Sequence, residues 1–523
     1  MLKKTTIKSL IEYKNYDLLE ILFVSKLLQN TIVDLHSAVK PLRRSEYLDR
    51  DRIVLVDDVD HTVDKQPFYN YFQRLINHLD ITNYFVLVIG DQATNTMLDN
   101  AYSKYNKHDT TKFEFFQAEL STCHLDYVTN FHLPDSICVN PWINVEMATD
   151  GKLRPCCIYQ DDQANLPSIK NSSISTGIAD DFFKQIRQQM LKGELIPGCK
   201  KCWDEESVGK VSKRQQDNYV YRDSLFEIDW NQCESTQLMA LDLKLKNLCN
   251  LSCRICSPAL SSKWYDEVSN NPEVYKDVNL KIVKLDWRTD KFDEQVWAEF
   301  AKTVHNIKYI TFAGGEPLLD KAHILLLKYF VDNGISKDIN LHYNSNGTIY
   351  AEHLIPIWNK FKSVEISFSI DNVGEKFEYE RYGAKWNTVI DCLNQYQQLD
   401  SAHYKFNIYS TVSILNILDS HKLYKFSKSM NLPIVFNILD YPSELSIAIL
   451  NKDQKKYVNN IFASVNDDDF YKLIQPILTY TSDLNLTKTV DDLMIFLQRT
   501  DQVREQDFTK VYPELFELLH RRN

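Results

Sequence analysis

The sequence predicts an α/β protein centred on a partial (β/α)6 barrel. Three observations lead there. Residues 238–440 carry six short apolar runs, each closing on a polar turn. The stretches between the runs are long enough for helices. Cysteines and a Gly-Gly-Glu turn fall at the ends of the runs rather than inside them. Repeated βα units with crossover helices make a parallel sheet, and the catalytic groups of such barrels sit on the loops that follow the strands.

The chain has 523 residues, too many for one ordinary core, so several modules are expected. Its apolar fraction of 44% and charged fraction of 25% are ordinary for a globular protein. No window approaches the ~18 consecutive apolar residues of a membrane span, and the N-terminus lacks an apolar signal core. The expected location is cytoplasmic, with no membrane partner. A formal net charge of −11 disfavours non-specific nucleic-acid binding. Seven of the eleven cysteines fall into spaced motifs, which in a cytosolic chain points to metal ligation before disulfides. Cys123, Cys157, Cys233 and Cys392 are left over, and the last two read as inert thiols.

Residues 1–45 read as helical. RIVLVDD (52–58) and NYFVLVIG (83–90) read as buried strands around an amphipathic stretch, so residues 1–125 form an N-terminal α/β module. Residues 131–235 are Cys-rich. INVEMATDGKLRPCC reads there as a β-hairpin, with Asp150-Gly151 favouring a two-residue turn. LMALDLKL, IKYITFAGG, INLHYNSNG, SVEISFSID, KFNIYSTVS and LPIVFNIL are the six barrel strands of 238–440. Residues 441–523 lack strand signals and read as a helical extension.

Cys249, Cys253 and Cys256 directly follow the first of these strands, in CNLSCRIC. Three thiolates leave one iron of a four-iron cubane without a protein ligand, and an open position is what a catalytic metal needs. Structural zinc is the alternative; it would require a fourth ligand, and none is adjacent. The second strand ends in AGGEP, placing Gly314, Gly315, Glu316 and Pro317 next in line. Glycines permit close backbone approach, and a carboxylate suits a cationic ammonium. YNSNG, with Asn346, ends the third strand, and SFSID, with Ser369 and Asp371, ends the fourth. Arg381 in YERYGAKW reads as an exposed helical arginine, a carboxylate partner being the alternative.

CNLSCRIC followed in register by AGGEP resembles the cluster loop and GGE motif of the radical S-adenosylmethionine superfamily. The resemblance implies a TIM-like barrel and a 4Fe-4S cluster on Cys249, Cys253 and Cys256. It also implies an S-adenosylmethionine site made by Gly314, Gly315, Glu316 and Pro317, with Asn346 near the cofactor and Ser369 and Asp371 at its ribose. The implied chemistry is reductive cleavage of S-adenosylmethionine and abstraction of a substrate hydrogen by the 5′-deoxyadenosyl radical.

Upstream, twelve residues separate Cys138 from Gly151 and four separate Gly151 from Cys156. PGCKKCW then supplies Cys199 and Cys202. Four thiolates suit a closed 4Fe-4S cluster or tetrahedral zinc, and Cys157 could replace Cys156. The pattern resembles a twitch domain, a shortened relative of the SPASM domain, which implies an auxiliary 4Fe-4S cluster. An auxiliary cluster is expected to accept an electron or bind substrate. The expected reaction is modification or oxidation of a peptide or protein, with a reductant such as flavodoxin or ferredoxin. Dehydrogenation of a small polyol is the alternative, and a non-catalytic zinc-binding module is the rival from another class. No general base is assigned.

Overall fold

In a computed structural model, the structure describes five strands within residues 1–135. From residue 136 to 520 it describes all but 161–164, 170–172, 222–227, 229–237, 277, 279, 281–305, 440, 466 and 483–487. Cys123 and Cys233 lie outside the described residues. The chain divides into two compact units, Met1–His132 and Leu133–Asn523.

The first unit holds a parallel sheet in the order β1-β5-β4-β3-β2. Its strands are β1 (Lys3–Thr5), β2 (Glu20–Phe23), β3 (Asp51–Val56), β4 (Tyr84–Ile89) and β5 (Phe113–Ala118). β3 and β4 are the two runs expected from sequence. β1 and β2 fall where helix was expected: the short β-branched and aromatic run in Glu20–Phe23 pairs with Ile53–Val56, so tertiary pairing overrides local periodicity.

The second unit is built on an eight-stranded sheet, β13-β12-β11-β10-β9-β8-β6-β7. The six strands from β8 to β13 are Ala240–Leu243, Tyr309–Phe312, Asn340–Ser345, Ser363–Ser369, Tyr404–Val412 and Ile434–Ile438. Each pairs in parallel with the next, matching the six expected βα units. β6 (Asn144–Met147) adds in parallel to the free side of β8, and β7 (Leu153–Arg154) folds back antiparallel on β6. The Cys-rich segment therefore continues the barrel sheet. Its hairpin loop is longer than the two residues expected: Ala148 N–H donates to Lys152 O (2.9 Å), and Gly151 takes the left-handed turn position at φ 80°.

One face of the barrel sheet is apolar. Leu241, Ile310, Phe312, Leu341, Tyr343, Val364, Ile366, Phe368 and Ile408 are buried there, as strands covered by crossover helices require. The residues after β13 are helical, as expected, with helices Lys452–Ser464, Asp468–Ser482, Val490–Arg504 and Pro513–His520.

This extension reaches the loop after β8. Arg254, wholly buried, donates through Nη2 to Asp501 Oδ1 (2.5 Å) and through Nη1 to Gln506 Oε1 (3.0 Å), with its guanidinium 3.5 Å over the Tyr379 ring. Asp501 also accepts from Tyr379 Oη (2.8 Å) and from Phe508 N–H (2.7 Å). Arg504 donates to Glu267 (3.0 Å) and lies over Trp264. Removing one partner of a buried ion pair leaves an uncompensated charge. Asp501→Ala is therefore expected to destabilise the second unit by about 3–5 kcal/mol, read as a shift of the denaturant midpoint in tryptophan fluorescence.

Candidate functional site

The loop after β8 is fixed by its own serines. Ser262 Oγ accepts from Cys249 N–H (3.1 Å), Ser261 Oγ donates to Leu251 O (2.6 Å), and Trp264 Nε1 donates to Cys253 O (2.8 Å). Cys249, Cys253 and Cys256 lie close enough to bear on one another's ionisation. Burial pushes Cys253 up to about 11 and Cys256 up to about 12, and raises Cys249. These thiols therefore stay protonated until a bound cation ionises them, as a coordinating metal does.

The Gly-Gly-Glu turn packs onto that loop. Gly315 N–H donates to Lys246 O (3.2 Å) and Glu316 N–H to Leu248 O (2.7 Å). A Cβ on Gly315 would stand 2.1 Å from Leu248 O, and one on Gly314, at φ 111°, would stand 2.8 Å from Lys246 O. The glycines thus serve close approach of backbone to backbone, a reason distinct from the ligand approach read from sequence. Pro317 opens a short 3-10 turn, Pro317–Leu319, that Glu316 caps by accepting from Leu318 N–H (3.1 Å).

Glu316 is buried. It accepts from Asn346 N–H (2.7 Å) and from Ser345 Oγ (3.2 Å), and has no ion-pair partner among the described residues. Burial pushes its carboxyl up to about 7 against the pull of those hydrogen bonds. Asn346 also donates to Asn250 Oδ1 (2.8 Å), tying the end of β10 to the cysteine loop. Ser369 is half-buried at the end of β11. Asp371 is buried, accepts from Thr411 N–H (2.8 Å) and pairs with Arg381 Nη2 (2.6 Å). Arg381 is accordingly buried, not exposed, and takes the carboxylate partner that was the alternative reading. Cys392 is a buried thiol pushed up to about 12, in keeping with an inert role.

The second group of thiols lines one cavity. Cys138, Cys156, Cys199 and Cys202 face it together with Lys213, Arg214, Tyr159 and Trp203. Cys157 is exposed and does not line it. Helix Lys213–Val220 holds the segment around Cys138, just before the short helix Asn140–Ile143. Asn218 Oδ1 accepts from Val139 N–H (2.8 Å), Arg214 Nη1 donates to Ile137 O (2.8 Å), and Asn140 Nδ2 donates to Asp217 (2.6 Å). Gly198 leaves room for the Tyr159 ring, which a Cβ would meet at 2.3 Å. Burial raises Cys138 and Cys156 and pushes Cys199 up to about 12. No three His, Cys, Asp or Glu side chains among the described residues close on a single metal-ion position.

The opposite face of the barrel sheet is polar, which sequence reading did not single out. Asp242, Thr311, His342 and Glu365 follow one another in register across β8 to β11. His342 Nε2 is 2.9 Å from Ser367 Oγ, and Asn407 Nδ2 donates to Glu365 Oε1 (2.7 Å). Burial holds His342 below its usual range, with Glu365 and Asp242 opposing. Alternation in the strands, polar at Asp242, His342 and Glu365, was the available signal.

Fold and thiols together define a cluster-binding protein of the βα-barrel class. Residues 243–412 match the family model of the Radical SAM superfamily, and residues 138–203 match SPASM, an iron–sulfur cluster-binding domain. The chain therefore carries a Radical SAM domain, preceded in sequence by a SPASM-type iron–sulfur cluster-binding domain. Those domains imply a 4Fe-4S cluster, an additional cluster and S-adenosylmethionine, and the buried thiols and the buried carboxylate of Glu316, which makes no ion pair among the described residues, fit them. No curated protein matches the chain. Among solved structures, native anSMEcpe with bound AdoMet is 20% identical over 45% of this chain and 62% of that one, with a TM-score of 0.33. SuiB of Streptococcus suis bound to S-adenosylmethionine is 13% identical over 56% of this chain and 59% of that one, with a TM-score of 0.32. The chain thus spans less than two thirds of either relative, and likenesses this distant carry no argument about activity. Among the described residues, no helix is long and apolar enough to cross a membrane.

If Glu316 receives the ammonium of S-adenosylmethionine, its titration gives the affinity a pH dependence. Below about 7 its carboxyl is neutral and offers an ammonium no charge; above it, the carboxylate is present. S-adenosylmethionine affinity, measured by equilibrium dialysis on the anaerobic protein, is expected to rise about tenfold from pH 6 to pH 8.

Proposed function

We propose that this protein is a radical SAM enzyme that modifies or oxidises a peptide or protein side chain. The observation that carries the enzymatic reading is the pairing of a three-thiol loop with the buried carboxylate of Glu316, which makes no ion pair among the described residues. When bound, the reduced cluster and S-adenosylmethionine supply a 5′-deoxyadenosyl radical that takes a hydrogen atom from substrate.

Cys249, Cys253 and Cys256 hold the cluster and leave one iron open to the cofactor. Glu316 receives the cofactor's ammonium, in a strap that Gly314, Gly315 and Pro317 shape. Asn346 orders the strap against Asn250. Ser369 faces the ribose, while Asp371 acts through Arg381. Cys138, Cys156, Cys199 and Cys202 hold the auxiliary cluster; the cavity they share, from which Cys157 is excluded, supports Cys156 as the ligand. The polar row Asp242, Thr311, His342 and Glu365 forms the substrate wall. We assign residues 131–235 to the auxiliary domain, 238–440 to the radical SAM barrel, 441–523 to a helical extension and 1–125 to recruitment of a macromolecular substrate. A flavodoxin or ferredoxin serves as reductant, in a cytoplasm that keeps the thiols free.

A second reading has an observation of its own. The hydrogen-bonding row on the barrel wall also suits a small polyol, which would be dehydrogenated.

Anaerobic incubation of the reconstituted protein with S-adenosylmethionine and a strong reductant is expected to release 5′-deoxyadenosine. Cys253→Ala should abolish that release, and Cys199→Ala should keep it while lowering iron content by about half, one of two cubanes. Zinc at both sites with no iron would sink the proposal. Deleting residues 1–132 is expected to cut turnover of a macromolecular substrate by tenfold or more while leaving 5′-deoxyadenosine release intact. Unchanged turnover would remove the recruitment role.

A further inference from the structure

The cysteine loop forms a short ladder with the residues that follow helix Gly374–Glu380. Ser252 N–H donates to Tyr382 O (3.0 Å) and Arg254 N–H donates to Glu380 O (2.8 Å). These two rungs flank Cys253 on one side and Arg381 on the other, so the ladder sets the two side chains opposite each other. Arg381 Nη1 lies 3.8 Å from Cys253 Sγ, and its Nη2 lies 2.6 Å from Asp371 Oδ2. Asp371 is itself pinned by Thr411 N–H at the end of β12 (2.8 Å). Arg381 is 7% exposed and its Nε meets no hydrogen-bond acceptor. A buried cation so held is expensive to desolvate. A purely structural ion pair would not need to aim one edge at a sulfur.

We infer that Arg381 is a positioning residue that sets the reduction potential of the cluster held by Cys249, Cys253 and Cys256, through an N–H to sulfur hydrogen bond and a fixed positive charge at Cys253. The inference rests on the radical SAM reading of the loop. Cluster potentials follow net charge and hydrogen bonds to the sulfurs. A cation at a ligand sulfur favours the more negative, reduced state and so raises the potential. Arginine's planar fork lets one edge serve Asp371 and the other Cys253, which lysine's single ammonium cannot do. Asp371 fixes the fork, so Arg381 touches the sulfur without touching substrate.

The test is a potentiometric titration followed by electron paramagnetic resonance on the full chain, reconstituted anaerobically, as wild type, Arg381→Gln and Arg381→Lys. Iron and sulfide contents are measured alongside. Arg381→Gln is expected to shift one of the two cubane midpoint potentials to a more negative value and leave the other in place. Arg381→Lys is expected to shift the same midpoint by less. Unmoved midpoints in an Arg381→Gln protein with full iron would overturn the inference, and lost thermal stability alone would not rescue it. If Arg381→Gln fails to retain iron, Arg381→Lys decides: a negative shift supports the inference and an unmoved midpoint overturns it. Absence of any cubane signal in the wild type would overturn the cluster reading and this inference with it, whereas a full signal with unmoved midpoints overturns Arg381's role alone.

Discussion

The parallel pairing of β6 with β8 is the constraint on which the second unit depends. It sets Glu146 beside Asp242 and Met147 beside Leu243, and Lys244 N–H closes the ladder on Met147 O (2.9 Å). One strand leads out of the four-thiol cavity and the other leads into the three-thiol loop. Their shared hydrogen bonds place two cysteine groups, separate in sequence, on a single sheet. Buried charges reinforce the joint: Glu146, wholly buried, is met by Lys244 (2.8 Å) and Arg154 (3.2 Å), one from each side of it. Because β6 and β8 run parallel, the thiols that precede β6 and those that follow β8 stand toward opposite ends of the paired strands, separated by strand length rather than by a linker.

Much of this was legible in the sequence because it depends on local pattern. The six strands announced themselves as β-branched and aromatic runs ending in polar turns, and all six fall where they were expected. Cysteine spacing and the Gly-Gly-Glu turn are short-range signals of the same kind. What escaped is what depends on distant partners. β2 (Glu20–Phe23) lies in a stretch with helical spacing and is a strand because Ile53–Val56 lies beside it. Arg381 looked like a surface arginine because its carboxylate, Asp371, lies in the turn after β11, on the far side of helix Gly374–Glu380 in sequence and outside helical spacing. Asp501, Arg504 and Gln506 lie in the helical extension, and no local pattern marks them as partners of Arg254 and Glu267.

Glu316 shows how a buried ionisable group can oppose stability. A buried carboxylate with three donors and no ion pair among the described residues is held in a state that burial disfavours. Its proton affinity exceeds that of an unfolded glutamate, so its contribution to stability falls as pH rises from about 4.5 to about 7. The polar wall of Asp242, His342 and Glu365 has the same character: side chains that a purely structural barrel would fill with Val or Leu.

The grip of Arg254 on Asp501 spans 247 residues of sequence. Chains emerge from synthesis N-terminal end first, at roughly 5–20 residues per second, so the cysteine loop waits roughly 10–50 s for its last anchor. During that interval the three thiols are already made but their loop is not closed. Order of manufacture therefore separates the making of the three thiols from the completion of their cradle. The helical extension, remote from the cysteines in sequence, is what ends that vulnerable period.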